Sequence, residues 1–184
     1  MKNTLKIAVV AVSLLVTACS GASIATEAGH GEFRNKDGTQ RKEITVKANV
    51  SDNVHIIAKT ESLTSNNGKV DDSKYSLISG DDIYFGAGFH TKSKTPERSE
   101  MSALFGKDFY KLSLQNKRRI WGRLGLISGI SYVNAYKAKR STTEARIGAY
   151  WLAKNIIYTY TYTVGNDTRE AVNDYVLFGV EKYF

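Results

Sequence analysis

The sequence predicts an all-β fold, an antiparallel up-and-down transmembrane β-barrel of about ten strands, with eight or twelve as the adjacent counts. Three observations carry this. The closing stretch, Asn173 to Phe184, alternates cleanly: Val176, Phe178, Val180 and Phe184 fall on one face, and Tyr175, Leu177, Gly179 and Glu181 on the other. An apolar outer face ending in an aromatic suits a strand presented to lipid and to the barrel-assembly machinery. The chain also opens with a positive Met-Lys-Asn-Thr-Leu-Lys followed by an apolar run from Ile7 to Ala18, the pattern of a secretory signal. Finally, 1 Pro, 15 Gly and 11 Tyr accompany 42% hydrophobic residues dispersed in period-2 alternation, a composition suited to extended structure.

The N-terminal run is too short to span a bilayer as a helix, and no other segment approaches the ~18 consecutive apolar residues a spanning helix needs. A closed barrel is then the way a membrane chain satisfies its backbone. Residues 1–18 are read as the signal, 19–28 as a flexible segment and 29–184 as the barrel. Val16-Thr17-Ala18-Cys19 has the form of a lipobox that would make Cys19 an acylated first residue; ordinary cleavage nearby, for instance after Ala25, would discard it. Cys19 is the single Cys, so no intrachain disulfide forms. The formal charge of +8 falls to +6 once the two lysines of residues 1–18 are removed. A secretory signal turns that charge away from nucleic acid and toward acidic glycans or lipopolysaccharide phosphates.

Strands are expected over 29–36, 41–50, 53–63, 74–80, 82–92, 101–114, 118–136, 143–153, 155–164 and 173–184. The sixth is blurred by Gly106, Lys107 and Asp108. Tight turns fall at Ser51-Asp52-Asn53, Gly80-Asp81, Gln115-Asn116-Lys117 and Ala153-Lys154-Asn155. Longer loops fall at Lys36–Gln40, Ser65–Ser73, Lys92–Ser99, Lys137–Thr143 and Gly165–Ala171. Short turns on one side and longer loops on the other point to an outer-membrane barrel of a Gram-negative bacterium, with the turns periplasmic.

Alternation is clearest in four strands. Ile44, Val46, Ala48 and Val50 oppose Glu43, Thr45, Lys47 and Asn49. Ile83, Phe85, Ala87 and Phe89 oppose Tyr84, Gly86, Gly88 and His90. Ala145, Ile147, Ala149 and Trp151 oppose Glu144, Arg146, Gly148 and Tyr150, and the tyrosines of Tyr158–Thr163 oppose its threonines. In a periplasmic β-sandwich the apolar faces would form a core. In a barrel they face lipid, and Trp151, Tyr158, Tyr162 and Phe184 near strand ends read as interfacial girdle residues.

The inward set then contains Arg34, Lys47, Lys59, Lys111, Arg119, Arg123 and Arg146, with Glu32, Glu43, Glu61, Glu144 and Glu181. Lining an open lumen, the cations would attract anionic solutes. Paired with the glutamates, they would fill the lumen and leave the loops to act. Ten strands lie between filled eight-stranded barrels and open sixteen-stranded ones, so both readings stand. Lys92, Lys94, Arg98, Lys137, Lys139 and Arg140 are expected in basic outer loops, near lipopolysaccharide phosphates. No enzyme activity is expected. Of His30, His55 and His90, only His90 sits inward on a strand near an outer loop, and Asp71 and Asp72 have no spacing that fixes them against it. No metal-ligand cluster or cofactor motif occurs, and the expected state is a monomer.

Several segments resemble the small monomeric porins for acidic sugars, the oligogalacturonate and sialic-acid porin family. Gly31-Glu32-Phe33-Arg34, a charged turn and Arg41–Lys47 are similar to its opening hairpin. Ser51–Val54 leading to Ala58–Glu61 resembles its next turn and third strand. Tyr75–Leu77 with Asp81-Asp82 and Gly86-Ala87-Gly88 resembles the following hairpin, and Ala145 to Phe184 the last three strands. The resemblance implies a twelve-stranded barrel passing anionic oligosaccharides, with Arg34, Lys47, Lys59, Arg123 and Arg146 in the pore. This chain departs from it by being shorter, as though one hairpin were missing around 115–145, and by its inward acids. A looser resemblance links it to eight-stranded adhesion and opacity-type barrels.

Overall fold

The computed structural model describes residues 21–33, 36–65, 68–69, 82–91, 97–107, 109–136, 140–167 and 172–184. Its strands are β1 (Ser23–Phe33), β2 (Lys36–Asn49), β3 (Val54–Ser65), β4 (Gly68–Lys69), β5 (Asp82–His90), β6 (Arg98–Phe105), β7 (Phe109–Trp121), β8 (Leu124–Ala135), β9 (Arg140–Ala153), β10 (Ile156–Asp167) and β11 (Val172–Tyr183). Each long strand pairs antiparallel with its chain neighbour, β1 pairs with β11, and β2 pairs with β3. The ring therefore closes on ten long strands, with β4 a two-residue ladder at the end of β3. Closure removes every sheet edge, which a β chain in lipid requires.

Following the pairs once round the ring from Phe33 returns to β1 beside Gly21, a stagger of roughly 12 residues. With about 3.3 Å of rise per residue and about 4.8 Å between strands, the strands tilt by roughly 40°.

An even strand number puts Ser23 and Phe184 at the same end. That end also holds the connections Val50–Asn53, Gly122-Arg123 and Lys154-Asn155. Lys154 and Gly122 supply the left-handed backbone that two-residue hairpins need, with φ of 56° and 54°. The longest connection, from Ser65 to Asp82, lies at the opposite end. Tight turns mark the periplasmic end of an outer-membrane barrel, so the end with the termini is the periplasmic one.

Outside, the alternation is as expected. Phe85, Phe89, Ile147, Phe178, Val180 and Tyr160 are exposed, whereas Tyr84, Tyr150, Tyr175, Leu177, Thr161 and Thr163 are buried in the lumen. Trp151, Tyr158 and Phe184 sit outward toward the periplasmic end. They are joined there by Trp121, which is 80% exposed. Tyr162 is outward nearer the cell-surface end and donates its hydroxyl to Asp174 Oδ2 at 2.8 Å.

Several expected boundaries differ. β1 begins at Ser23, so most of the segment expected to be flexible, 19–28, is paired with β2 and β11. Lys36–Gln40, expected as a loop, opens β2. The expected strand 101–114 is interrupted after Phe105 and 118–136 after Trp121, giving β6, β7 and β8. Gln115-Asn116-Lys117, expected as a turn, lies inside β7, where Gln115 and Lys117 face a polar lumen. The expected strand 74–80 lies outside the described residues, and β3 pairs directly with β5. The extra break in the middle and the direct β3–β5 pairing compensate, so the count of ten holds although its members differ. The shift carries one consequence: β5 ends at His90 and β6 begins at Arg98, both at the periplasmic end, whereas 92–99 was expected as an outer loop; residues 92–96 themselves lie outside the described residues. Residues 1–18 and Cys19 lie outside the described residues.

Candidate functional site

The lumen collects the charged side chains because strand alternation leaves only its face for them. Toward the cell-surface end, Arg41 on β2 is the hub. Its Nε lies 2.8 Å from Glu43 Oε1, its Nη2 2.8 Å from Glu61 Oε1, and its Nη1 3.1 Å from Glu144 Oε1. Lys59 Nζ reaches Glu43 Oε2 at 2.6 Å and Glu61 Oε2 at 4.0 Å, and Lys111 Nζ lies 3.9 Å from Glu144 Oε2. Arg146 Nη1 lies 2.8 Å from Glu27 Oε2 and Nη2 3.7 Å from Glu43 Oε2. The Arg41 guanidinium also stacks over the Tyr175 ring at 5.2 Å, a cation–π contact. Apolar side chains fill in beside it: Tyr84 meets Phe109 edge-on at 4.6 Å, with Ile57, Leu104, Val133 and Leu177 in the same cluster. The Tyr84 hydroxyl donates to Glu61 Oε2 at 3.2 Å.

A second ionic cluster lies toward the periplasmic end. Lys47 Nζ donates to both oxygens of Glu100, at 2.6 and 2.8 Å. Arg98 Nη2 lies 3.2 Å from Glu100 Oε2 and 4.0 Å from Glu181 Oε1, and its guanidinium is 5.9 Å from the Tyr183 ring. Lys117 donates to Glu181, which also accepts from Ser23 Oγ at 3.3 Å. His55 Nε2 is 3.5 Å from Glu100 Oε1, and its ring stacks on His90 at 5.3 Å.

A cavity of about 140 Å³ lies between the clusters, lined by side chains of both, among them Glu27, Lys47, Lys111, Glu144 and Glu181. Seven inward cations (Arg41, Lys47, Lys59, Arg98, Lys111, Lys117 and Arg146) are thus paired with Glu27, Glu43, Glu61, Glu100, Glu144 and Glu181. Charges this deeply buried need partners, because their desolvation is otherwise uncompensated. Among the described residues there is no cluster suited to hold a metal ion.

Of the residues singled out from sequence, Lys47, Lys59, Lys111, Arg146, Glu43, Glu61, Glu144 and Glu181 do meet in the lumen. Arg34 lies outside the described residues, and no burial is described for Glu32. Two are corrected. Arg123 sits exposed in the β7–β8 turn, because the strand expected over 118–136 breaks there. Arg119 is at the periplasmic rim, paired at 2.9 Å with Glu97 and 41% exposed. Arg98, expected in an outer loop, is buried inside β6. Sequence reasoning missed Glu27, Arg41, Glu100 and Lys117 as lumen residues. Parity with Glu43 was enough to find Arg41. Glu27, Glu100 and Lys117 fell in segments read as flexible, loop or turn.

The fold is shared with solved outer-membrane barrels. A channel described as the COG4313 outer membrane channel from Pseudomonas putida F1 aligns with a TM-score of 0.53 at 9% identity, over 90% of this chain and 96% of that one. The translocator domain of the autotransporter NalP from Neisseria meningitidis aligns with a TM-score of 0.47 at 12% identity, over 100% of this chain and 96% of that one. A loop-deletion mutant of OmpT, an outer membrane protein of Vibrio cholerae, aligns with a TM-score of 0.41 at 16% identity. That match covers 88% of this chain, which spans only 59% of the Vibrio chain's length. No protein-family model matches the chain, and neither does any curated protein sequence. The apolar exterior, the closed ring and the likeness to the Pseudomonas channel's fold together describe a Gram-negative outer-membrane β-barrel.

Proposed function

We propose that this protein is a barrel closed to sugar-sized solutes, a salt-bridged scaffold whose cell-surface end binds a partner. The observation that carries this reading is the set of ion pairs reaching across the lumen, above all Arg41 with Glu144 and Lys47 with Glu100. An anion-selective path needs cations free to attract solute. Among the described residues each buried inward cation already has a carboxylate neighbour, and apolar side chains fill the space beside the Arg41 cluster. A solute would have to break several buried pairs to pass. Recognition then falls to the cell-surface connections. Arg140 opens β9 at that end, and it is the residue to vary, together with Lys137 and Lys139 just before it in the sequence and outside the described residues, in a search for an acidic surface partner.

The second reading is a channel for small anionic solutes. The cavity favours it, since Lys47, Lys59, Lys111, Lys117 and Arg146 all line it. Single-channel recording in planar bilayers separates the two. The scaffold reading expects no unitary current from the purified barrel. A reproducible, anion-preferring unitary current would replace it with the channel reading.

A further inference from the structure

The outer surface of the barrel is not uniform at its periplasmic end. Along the adjacent strands β7 to β11, that end carries Arg118, Arg123, Lys154 and Lys182, all exposed. Arg118 and Lys182 lie on the outward, lipid-facing parity, while Arg123 and Lys154 occupy the two hairpin turns. None of the four has a carboxylate partner among the described residues. From Phe109 to Phe184, the side-chain acids on these strands lie elsewhere. Glu144 and Glu181 are buried in the lumen, and Asp167 and Asp174 lie at the cell-surface end. On the other half of the ring, β1, β2, β3, β5 and β6 place no outward cation at the periplasmic end among the described residues.

The same arc holds the aromatic girdle. Trp151 pairs with both Leu124 and Tyr158, and Trp121 closes β7 two strands away, paired with Leu124. The Lys182 ammonium lies 4.8 Å from the centre of the Phe184 ring. Interfacial aromatics set the depth of a barrel at the level of the head groups. Cations beside them are therefore held at the height of lipid phosphates, where an anionic surface attracts each Lys or Arg. We propose that this arc is a binding surface for anionic phospholipid of the periplasmic leaflet, with Arg118, Arg123, Lys154 and Lys182 contacting the phosphates.

The test uses the two tryptophans as probes, because Trp121 and Trp151 are the chain's only two and both lie on the arc. The full barrel is reconstituted in phosphatidylcholine vesicles containing brominated phosphatidylglycerol or, separately, brominated phosphatidylcholine, and fluorescence quenching is titrated against brominated lipid. Preferential quenching by the glycerol lipid is expected, with a relative association constant of roughly five, declining at high salt. Replacing the four cations, as Arg118→Gln, Arg123→Gln, Lys154→Asn and Lys182→Gln, should bring the ratio to about one. Asn at position 154 keeps a residue tolerant of the left-handed backbone. The variant Lys107→Gln, at the opposite end, should leave the ratio unchanged. If the fourfold variant does not fold, the turn pair Arg123→Gln and Lys154→Asn, which spares the strands, should lower the ratio on its own. Equal quenching by the two lipids in the wild type would overturn the proposal. So would a preference that survives in whichever of these charge-removed variants folds.

Discussion

Arg41 Nη1 on β2 lies 3.1 Å from Glu144 Oε1 on β9, a contact between residues 103 positions apart that reaches across the lumen. Arg41 also holds Glu43 and Glu61, so one guanidinium ties three strands together from inside. The pair lies deep in the barrel, where neither partner is replaced by water. Removing one partner leaves the other charge uncompensated, which is costlier than the pair's own net worth.

Glu144→Ala should therefore destabilise the barrel by about 3–5 kcal/mol. Arg41 and Lys111 would both lose a carboxylate partner. Urea unfolding from lipid vesicles, followed by tryptophan fluorescence, measures this.

Neutralising acids at both levels should alter the lumen's ion preference. Glu100→Gln together with Glu144→Gln frees Lys47 and Lys111 from their pairs and leaves Arg98 only its 4.0 Å contact with Glu181, while keeping side-chain volume. Any conductance gained by the double variant in planar bilayers should prefer anions, as measured by reversal potential in a salt gradient. A cation-preferring current would contradict the charge assignment of the lumen.

Gly29 faces the lumen from β1, opposite Leu177. A Cβ placed there would overlap the backbone carbonyl of Val176, and a backbone atom cannot swing aside. Gly29→Val should cost at least about 1–3 kcal/mol and shift the urea midpoint downward with little change in slope.

Lys154 has φ of 56° in the β9–β10 turn. Lys154→Gly should be neutral or slightly stabilising, whereas Lys154→Val should lose about 1–2 kcal/mol. Heat-modifiable gel migration gives a quick readout, with the Val variant unfolding at lower temperature than the wild type.

The alternation of β5, β9, β10 and β11 was legible in the chain, because a period-2 pattern with lipid on one side keeps charge away from the middle of the outward face and leaves polar outward residues such as Lys182 and Asp174 to the strand ends. Phe178 outward and Glu181 inward follow from it directly. The middle was less legible. Asn116 and Lys117 look like a turn by composition, yet a strand facing a polar lumen accepts Gln115 and Lys117 on its inner side. Gly122-Arg123 is a two-residue hairpin with no Pro or Asn to announce it, so β7 and β8 read as continuous with their neighbours. Two missed breaks, one turn expected inside β7 and one expected strand outside the described residues together reversed the side assigned to the junction between His90 and Arg98.

By itself the sequence determined the class of fold: an antiparallel barrel of about ten strands, an apolar exterior, a charged interior, and Lys47, Lys59, Lys111 and Arg146 turned inward among glutamates. Those are consequences of local periodicity, which any strand carries within itself. Only the tertiary structure decided whether the inward charges stand free or neutralise one another. That depends on the stagger with which the sheet closes, since this sets which inward residues meet across the lumen. It is this stagger that brings Glu144 to Arg41 and Glu100 to Lys47. The same closure gathers Arg118, Arg123, Lys154 and Lys182 on one arc of the rim. A cation's partner in a barrel is chosen by ring geometry, and sequence separation carries no trace of it.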